Sequence, residues 1–353
     1  MKAAVLYDRG KVELREVEKP ICGDEDIILE VKACGICGSD LGFYYGTKIP
    51  MGQVPYTMGH EFAGVIAETG KNADSRWKVG DRVVSDNTGD ACGVCPACSR
   101  GDFVACQHRK ILGCSMDGGF AKYVRIPGRV LRFYRNAVWK IPDNLSFQEA
   151  TLMDPAANGY NSVIQQGGLK AGENVVVYGA GALGIMSIAA AYIGGAAKII
   201  AVGMHSDRVS REAVARKYGA DHFLASDEEE DMASKILEIA GEDGIALTID
   251  AAGHPSITHT AIKFTRPQGK IVRIGSNPAP FDASMDAFKM KNISIIGHMG
   301  YNQESWRNCL ALAACGKLDL KTIISHEMPI SDIHRGFDLS KKQLATKVII
   351  IPE

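Results

Sequence analysis

Four of the ten cysteines in this 353-residue chain fall close together as Cys92-x-x-Cys95-x-x-Cys98, followed after seven residues by Cys106. Two-residue spacings let successive thiolates converge on one tetrahedral ion at about 2.3 Å, and Gly93 and Pro96 supply the bends between them. Four sulfurs leave no open coordination position, so a zinc held here is structural; an iron–sulfur cluster would use the same ligand count. The cysteines are bunched rather than spread as a disulfide frame. The charges at Lys2, Asp8 and Arg9 leave no apolar export signal at the start. Metal ligation in a reducing cytoplasm is the reading that follows.

A second set of ligand types is dispersed: Cys34 and Cys37, followed by Ser39 and Asp40; the pair His60-Glu61; and Asp154 before Pro155. Spacing alone leaves these open, because Cys34-x-x-Cys37 equally suits two core thiols and a single histidine equally suits a core position. The run Val175-Val176-Val177-Tyr178 leads into Gly179-Ala180-Gly181-Ala182-Leu183-Gly184 and then an apolar helix. Between a β-branched strand and a helix, these glycines make the turn, admit a pyrophosphate and allow close helix–strand packing. The free amides of the helix N-terminus then meet the phosphates. The acid usually found after the next strand is missing, since Gly203, Met204 and His205 stand there. His205, Ser206, Arg208 and Arg211 offer a clamp for a 2′-phosphate, while Asp207 offers an acid that would repel it. NAD and NADP both remain open.

These residues need elements to carry them. The first 150 residues consist of short alternating runs cut by glycine and proline, which predicts a mainly β domain. From about residue 172, strands at 175–178, 198–202, 222–224, 245–250, 270–274 and 293–296 alternate with helices such as 207–218 and 231–240. That pattern predicts a doubly wound parallel sheet of six strands. After Gly297 the alternation stops, leaving helices near 303–315 and 331–340 and a strand at 347–351. These are expected to pack back onto the first domain. The organisation is therefore α/β, with a catalytic domain from 1–154 and 297–353, a metal lobe near 88–113 and a dinucleotide domain from 155–296. The uncharged run 175–197 is long enough to cross a membrane, but its glycines suit strand, turn and buried helix better. The acidic run 227–231 reads as a solvated loop opening a helix. With 40 basic and 41 acidic side chains the formal charge is −1, which provides no field for nucleic acid or an anionic membrane.

Taken in order, Gly-Ile-Cys-Gly-Ser-Asp at 35–40, Gly-His-Glu at 59–61, the four-cysteine lobe, Gly118-Gly119-Phe120-Ala121, Lys140-Ile141-Pro142 and the glycine turn resemble the zinc-dependent medium-chain dehydrogenases. This is the alcohol, polyol and threonine dehydrogenase group, and the likeness covers essentially the whole chain. It implies a GroES-like β-barrel domain completed by the C-terminal segment, a Rossmann domain, and an active site in the cleft between them. It implies two zincs per chain, one structural and one catalytic. Cys37 and His60 match the constant catalytic ligands, Glu61 the adjacent carboxylate, and Asp154 a position that holds cysteine or carboxylate. Asp40 matches the carboxylate that orients the histidine, and Ser39 the hydroxyl that takes the alcohol proton. Gly42 stands where some relatives place a relay histidine. Gly179, Gly181, Leu183, Gly184, His205, Ser206 and Arg208 fall in the cofactor region.

The activity implied is reversible oxidation of a secondary alcohol to a ketone with NAD or NADP, on a polyol, cyclitol or other sugar-derived substrate. The expected enzyme is cytoplasmic and a homodimer or homotetramer, with no nucleic-acid or membrane partner. Asp154-Pro155-x-x-Asn158 also resembles the threonine branch. Residues 86–91, however, lack the histidine that those relatives carry, which places threonine second. A non-turnover binding protein on the same fold would predict erosion of the ligands or of Ser39, and neither is seen. A glutathione-linked aldehyde dehydrogenase would need a site for an anionic thiol adduct, for which no motif is present. The segment 131–136 looks longer than the family connection, so it is expected to line the cleft or a subunit contact.

Overall fold

The computed structural model describes residues 1–353, which divide into two compact units: Met1–Asp154 with Leu320–Glu353, and Pro155–Asp319. The expected return to the first unit at residue 297 is therefore corrected to residue 320. Polar contacts explain the shift. Asn161 donates to the Gly300 carbonyl at 3.2 Å, Ser305 to Asn161 at 3.4 Å, and Asn308 to the Tyr160 hydroxyl at 3.3 Å. They tie the helix Gln303–Ala314 to Met153–Tyr160 and the π-helical turn after it.

In the first unit the main sheet runs in the order Val138–Lys140, Arg82–Ser85, Glu61–Thr69, Ile27–Gly35, Val348–Ile351 and His326–Pro329, with Tyr123–Ile126 also paired to Ile27–Gly35. Ile27, Ile28 and Leu29 are all fully buried, although strict alternation would turn one of them outward. A register shift between Ile28 and Leu29 accounts for this, because a bulge adds a residue and re-aims the side chains after it. Cys34 and Gly35 pair with Phe62 and Glu61 on one side and with Ile350 and Ile349 on the other. The C-terminal strand thus completes the sheet beside the residues that carry chemistry.

The second unit is a six-stranded parallel sheet in the order His222–Ala225, Lys198–Gly203, Asn174–Tyr178, Ile245–Asp250, Thr265–Arg273 and Ser294–Gly297. Numbered by sequence within the unit, this is the 3-2-1-4-5-6 order of a Rossmann sheet. The direction of winding reverses between Asn174–Tyr178 and Ile245–Asp250, which opens a crevice at their C-terminal ends. Val175, Val176 and Val177 are fully buried, and burial of each contributes about 1.5–3 kcal/mol relative to exposure. The apolar run that imitates a membrane span divides into this strand, the glycine turn and the buried helix Ala182–Ile193; no helix is long and apolar enough to cross a membrane.

One local expectation changes. The helix expected over 207–218 is broken into a 3₁₀ turn, His205–Arg208, and a short helix, Glu212–Lys217. Asp207 folds back to accept the Met204 amide at 2.9 Å and closes the first turn early. The segment 131–136 is held within the first unit. It ends the helix Gly128–Phe133, and Tyr134 stacks on Phe103 with ring centroids 4.5 Å apart, so it packs against the four-cysteine lobe.

Candidate active site and cofactor region

In the cysteine lobe the donor atoms of Cys92, Cys95, Cys98 and Cys106 all lie within 4.8 Å of one another. The Cys92 sulfur is 3.9 Å from that of Cys98 and 3.6 Å from that of Cys106. Two thiolates at tetrahedral angles on one zinc stand about 3.8 Å apart, so the donor set fits the ion. Gly93 supplies the left-handed turn at φ +78°. Amides of Val94 and Cys95 point at the Cys92 sulfur and pull its thiol down to about 6, toward the thiolate a metal needs. All ten cysteines are free thiols.

The second cluster is assembled from two places in the chain. Cys37 caps the helix Gly38–Tyr44, and Asp40 in its first turn accepts the Cys37 amide at 2.9 Å. His60 and Glu61 stand at the start of Glu61–Thr69, where Gly59 turns the chain at φ +93°. A side chain on Gly59 would meet the Phe120 amide at 2.8 Å, so this close approach requires glycine. Cys37, His60 and Glu61 bring their donor atoms within 4.8 Å of one another. Asp40 Oδ1 lies 3.4 Å from His60 Nδ1 and Ser39 Oγ lies 3.4 Å from Nε2. A proton held on Nδ1 leaves the Nε2 lone pair for a metal. The donors therefore fit a catalytic zinc with an open position.

Asp154 is not among the donors that lie within 4.8 Å of one another, although its charge is felt at both Glu61 and Lys347. It is buried, and its Oδ2 accepts from Asn87 Nδ2 at 2.7 Å. The Asn87 carbonyl in turn accepts from Arg109 at 2.7 Å, so one amide bridges a cation and a carboxylate. Asn87 adopts φ +59°, a conformation asparagine tolerates better than most residues. Asn158 is likewise engaged: its Oδ1 lies 3.0 Å from Nε2 of His298, whose pKa burial lowers to about 4.

Sequence reasoning missed several residues. Lys347, almost wholly buried, forms an ion pair with Glu61 and donates to the Ile36 carbonyl at 3.0 Å. A Cβ on Gly35 would fall 2.5 Å from Glu61 Oε2 and 2.8 Å from Lys347 Cε, so the missing side chain makes room for the pair. Burial pushes the Glu61 carboxyl up, and the Lys347 ammonium opposes that shift. The Cys114 sulfur lies 3.5 Å from His60 Nδ1. The stem of Lys48 crosses Gly42, with Cδ 2.6 Å from where a Cβ would stand, so the place of a relay histidine is filled by a lysine chain. None of these announces itself by local spacing. Lys347 could have been suspected only as a charge opening an otherwise apolar final strand.

In the second unit Gly179 has φ +95°, a Cβ on Gly181 would meet nothing within 4 Å, and one on Gly184 would meet the Gly179 carbonyl at 1.7 Å. Turn, open approach and close packing are thus divided among the three glycines, and Leu183 lies in the first turn of Ala182–Ile193. No side chain caps that helix at Gly181. A helix N-terminus of this kind presents backbone amides suited to an anion. His205, Ser206 and Arg208 lie just past the strand Lys198–Gly203. Arg208 does not stand free as a phosphate clamp. Its Nε and one terminal nitrogen reach Glu228 at 3.0 and 2.5 Å, and its other terminal nitrogen reaches Glu212 at 3.0 Å. Arg211 pairs with Asp207 at 2.9 Å. Glu228 belongs to the acidic run read above as a solvated loop opening a helix; the run is a largely exposed turn whose last member, Asp231, caps the following helix through Ser234, and Glu228 in addition pairs with Arg208.

Comparison with known proteins agrees with this geometry. Residues 23–135 match the model described as "Alcohol dehydrogenase GroES-like domain", and residues 182–314 match "Zinc-binding dehydrogenase". The chain is 39% identical to an uncharacterized zinc-type alcohol dehydrogenase-like protein, YdjL, of Escherichia coli K12, covering 99% of this chain and 98% of that one. It is 32% identical to L-threonine 3-dehydrogenase of Bacillus velezensis, covering 100% and 99% of the two. It is 30% identical to sorbitol dehydrogenase of Halalkalibacterium halodurans, again covering 100% and 99%. Among solved structures, an alcohol dehydrogenase of Escherichia coli CFT073 complexed with NADH superposes with TM-score 0.88 at 26% identity, covering 99% of each chain. The chain belongs to the zinc-dependent medium-chain alcohol dehydrogenase family.

Proposed function

We propose that this protein oxidises a secondary alcohol of the polyol, cyclitol or sugar-derived class to a ketone, reversibly, with zinc and NAD or NADP. The observation that carries the reading is the convergence of Cys37, His60 and Glu61 within 4.8 Å, with the Ser39 hydroxyl beside His60. Cys37 and His60 would hold the catalytic ion, and Cys92, Cys95, Cys98 and Cys106 the structural one. When bound, the zinc would supply Lewis-acid polarisation of the substrate hydroxyl and the nicotinamide would supply a hydride acceptor. Ser39 Oγ takes the alcohol proton. Asp40 keeps the Nδ1 proton of His60 in place, and Lys347 holds the Glu61 carboxylate. Gly179, Gly181, Leu183 and Gly184 receive the pyrophosphate. The enzyme is read as a cytoplasmic homo-oligomer.

Threonine oxidation is the second reading, supported by the likeness to L-threonine 3-dehydrogenase of Bacillus velezensis. Against it, Asn158, part of the motif that resembles that branch, is engaged with His298. Nicotinamide reduction measured on matched panels of polyols, cyclitols and amino-alcohols separates the two. Turnover should vanish on chelation and return with zinc. Full activity in protein shown by elemental analysis to be free of zinc would refute the proposal.

A further inference from the structure

The acid that normally follows the second Rossmann strand is missing here, yet a carboxylate reaches the same place from the neighbouring strand. Lys198–Gly203 and His222–Ala225 are adjacent and parallel, with Gly203 opposite Ala225, so the loops after them leave the same end of the sheet. The loop after Ala225 brings Glu228 onto His205 Nδ1 at 2.5 Å and onto the Arg208 guanidinium through two of its nitrogens. Asp227 accepts the His205 amide at 2.7 Å.

We infer that Glu228 is the residue that selects NAD over NADP, by occupying the cationic groups that would otherwise receive a 2′-phosphate. The inference rests on the dinucleotide reading of the second unit and names the cofactor for it. Its physical basis is the fork of Arg208. A guanidinium recognises phosphate through paired N–H donors, and here those donors are already shared between Glu228 and Glu212. Arg211 is held by Asp207, and Arg216 reaches Glu212 at 2.9 Å. The carboxylates of Asp207, Glu212, Asp227 and Glu228 therefore face three guanidiniums and the His205 imidazole, and each guanidinium already has a carboxylate partner. An arriving phosphate, which carries about −1.5 to −2 charges, is repelled by Glu228 and must displace it to reach the Arg208 fork. Glu228 is ionised throughout the working range, because Arg208 and His205 hold its carboxyl down at about 2. NAD carries no 2′-phosphate and does not meet this repulsion.

Quenching of intrinsic fluorescence, or nicotinamide fluorescence enhancement, on titrating the full-length protein with NADH and NADPH tests the assignment without a known substrate. The wild type should bind NADH at least about tenfold more tightly than NADPH, a difference of about 1.4 kcal/mol. Glu228→Gln should raise NADPH affinity about tenfold and leave NADH affinity within about threefold. Adding Arg208→Ala to that variant should remove the gain. Arg208→Ala alone should leave NADPH affinity within about threefold, because the guanidinium is already occupied. That single variant also serves if Glu228→Gln does not fold. An NADPH-preferring wild type, a Glu228→Gln variant with an unchanged cofactor ratio, or a large loss of NADPH binding in Arg208→Ala alone would each overturn the assignment while leaving the dinucleotide reading intact. Failure of the wild type to bind either dinucleotide would overturn both.

Discussion

The two groups of candidate metal ligands in the first unit are built on opposite plans. The cysteine lobe draws four identical ligands from one short stretch of chain, positioned by local turns and by amides aimed at the Cys92 sulfur. The Cys37–His60–Glu61 cluster draws three different ligand types from separate segments and depends on a C-terminal lysine to hold one of them. A closed thiolate set needs little beyond its own loop. A mixed, open set needs the whole sheet to bring its members together and to fix their orientation. Stability in the lobe should therefore follow the metal, whereas integrity of the open cluster should follow long-range packing.

The largest expected effect breaks the lobe. Cys98→Ser should release one zinc per chain and unfold or aggregate the lobe, because metal binding there is folding free energy. Two zincs per chain retained by that variant, counted by elemental analysis, would show that the lobe is not the structural site. Lys347→Met comes next. It strands a buried carboxylate and should destabilise the protein by about 3–5 kcal/mol, read by denaturant unfolding. Lys347→Met combined with Glu61→Gln should recover part of that loss, since no uncompensated charge remains; a purely additive double variant would mean the two side chains do not act as a pair.

Two smaller effects sharpen the difference. Ser39→Ala should lower turnover by about 100-fold with zinc content unchanged, because it removes a positioned proton acceptor without touching a ligand. Wild-type turnover in Ser39→Ala would place the proton route elsewhere. Asn87→Ala should destabilise by about 1–3 kcal/mol, the range for leaving buried partners without a hydrogen bond. Asn87→Asp should be worse than Asn87→Ala, since it sets a second carboxylate against Asp154. Equal stabilities of the two variants in thermal unfolding would exclude the bridging role.

Where local pattern and final structure agree, the reason is short range. The six parallel strands lie within a few residues of their expected limits, since β-branched runs between glycines and helices have few other ways to bury themselves. The helix over 207–218 fails because one side chain, Asp207, turned inward and closed the turn early. The return point at 297 fails for a different reason. Loss of strand–helix alternation looks like a domain boundary, but Asn161, Ser305 and Asn308 hold the next helix to the second unit through hydrogen bonds that no periodicity displays.

The sequence by itself determined the four-cysteine loop, the glycine turn and the alternation that makes a Rossmann sheet, because each depends on backbone conformation and side-chain spacing over a few neighbouring residues. Only the tertiary structure decided which charges meet. Lys347 reaches Glu61 across 286 residues because Gly35 is paired to both of their strands and lacks the side chain that would separate them. Glu228 reaches Arg208 across 20 residues because two adjacent parallel strands end side by side. An acid run or a terminal lysine carries no mark of its partner in the chain. Coulomb attraction acts through space, and strand register sets the distances over which it acts.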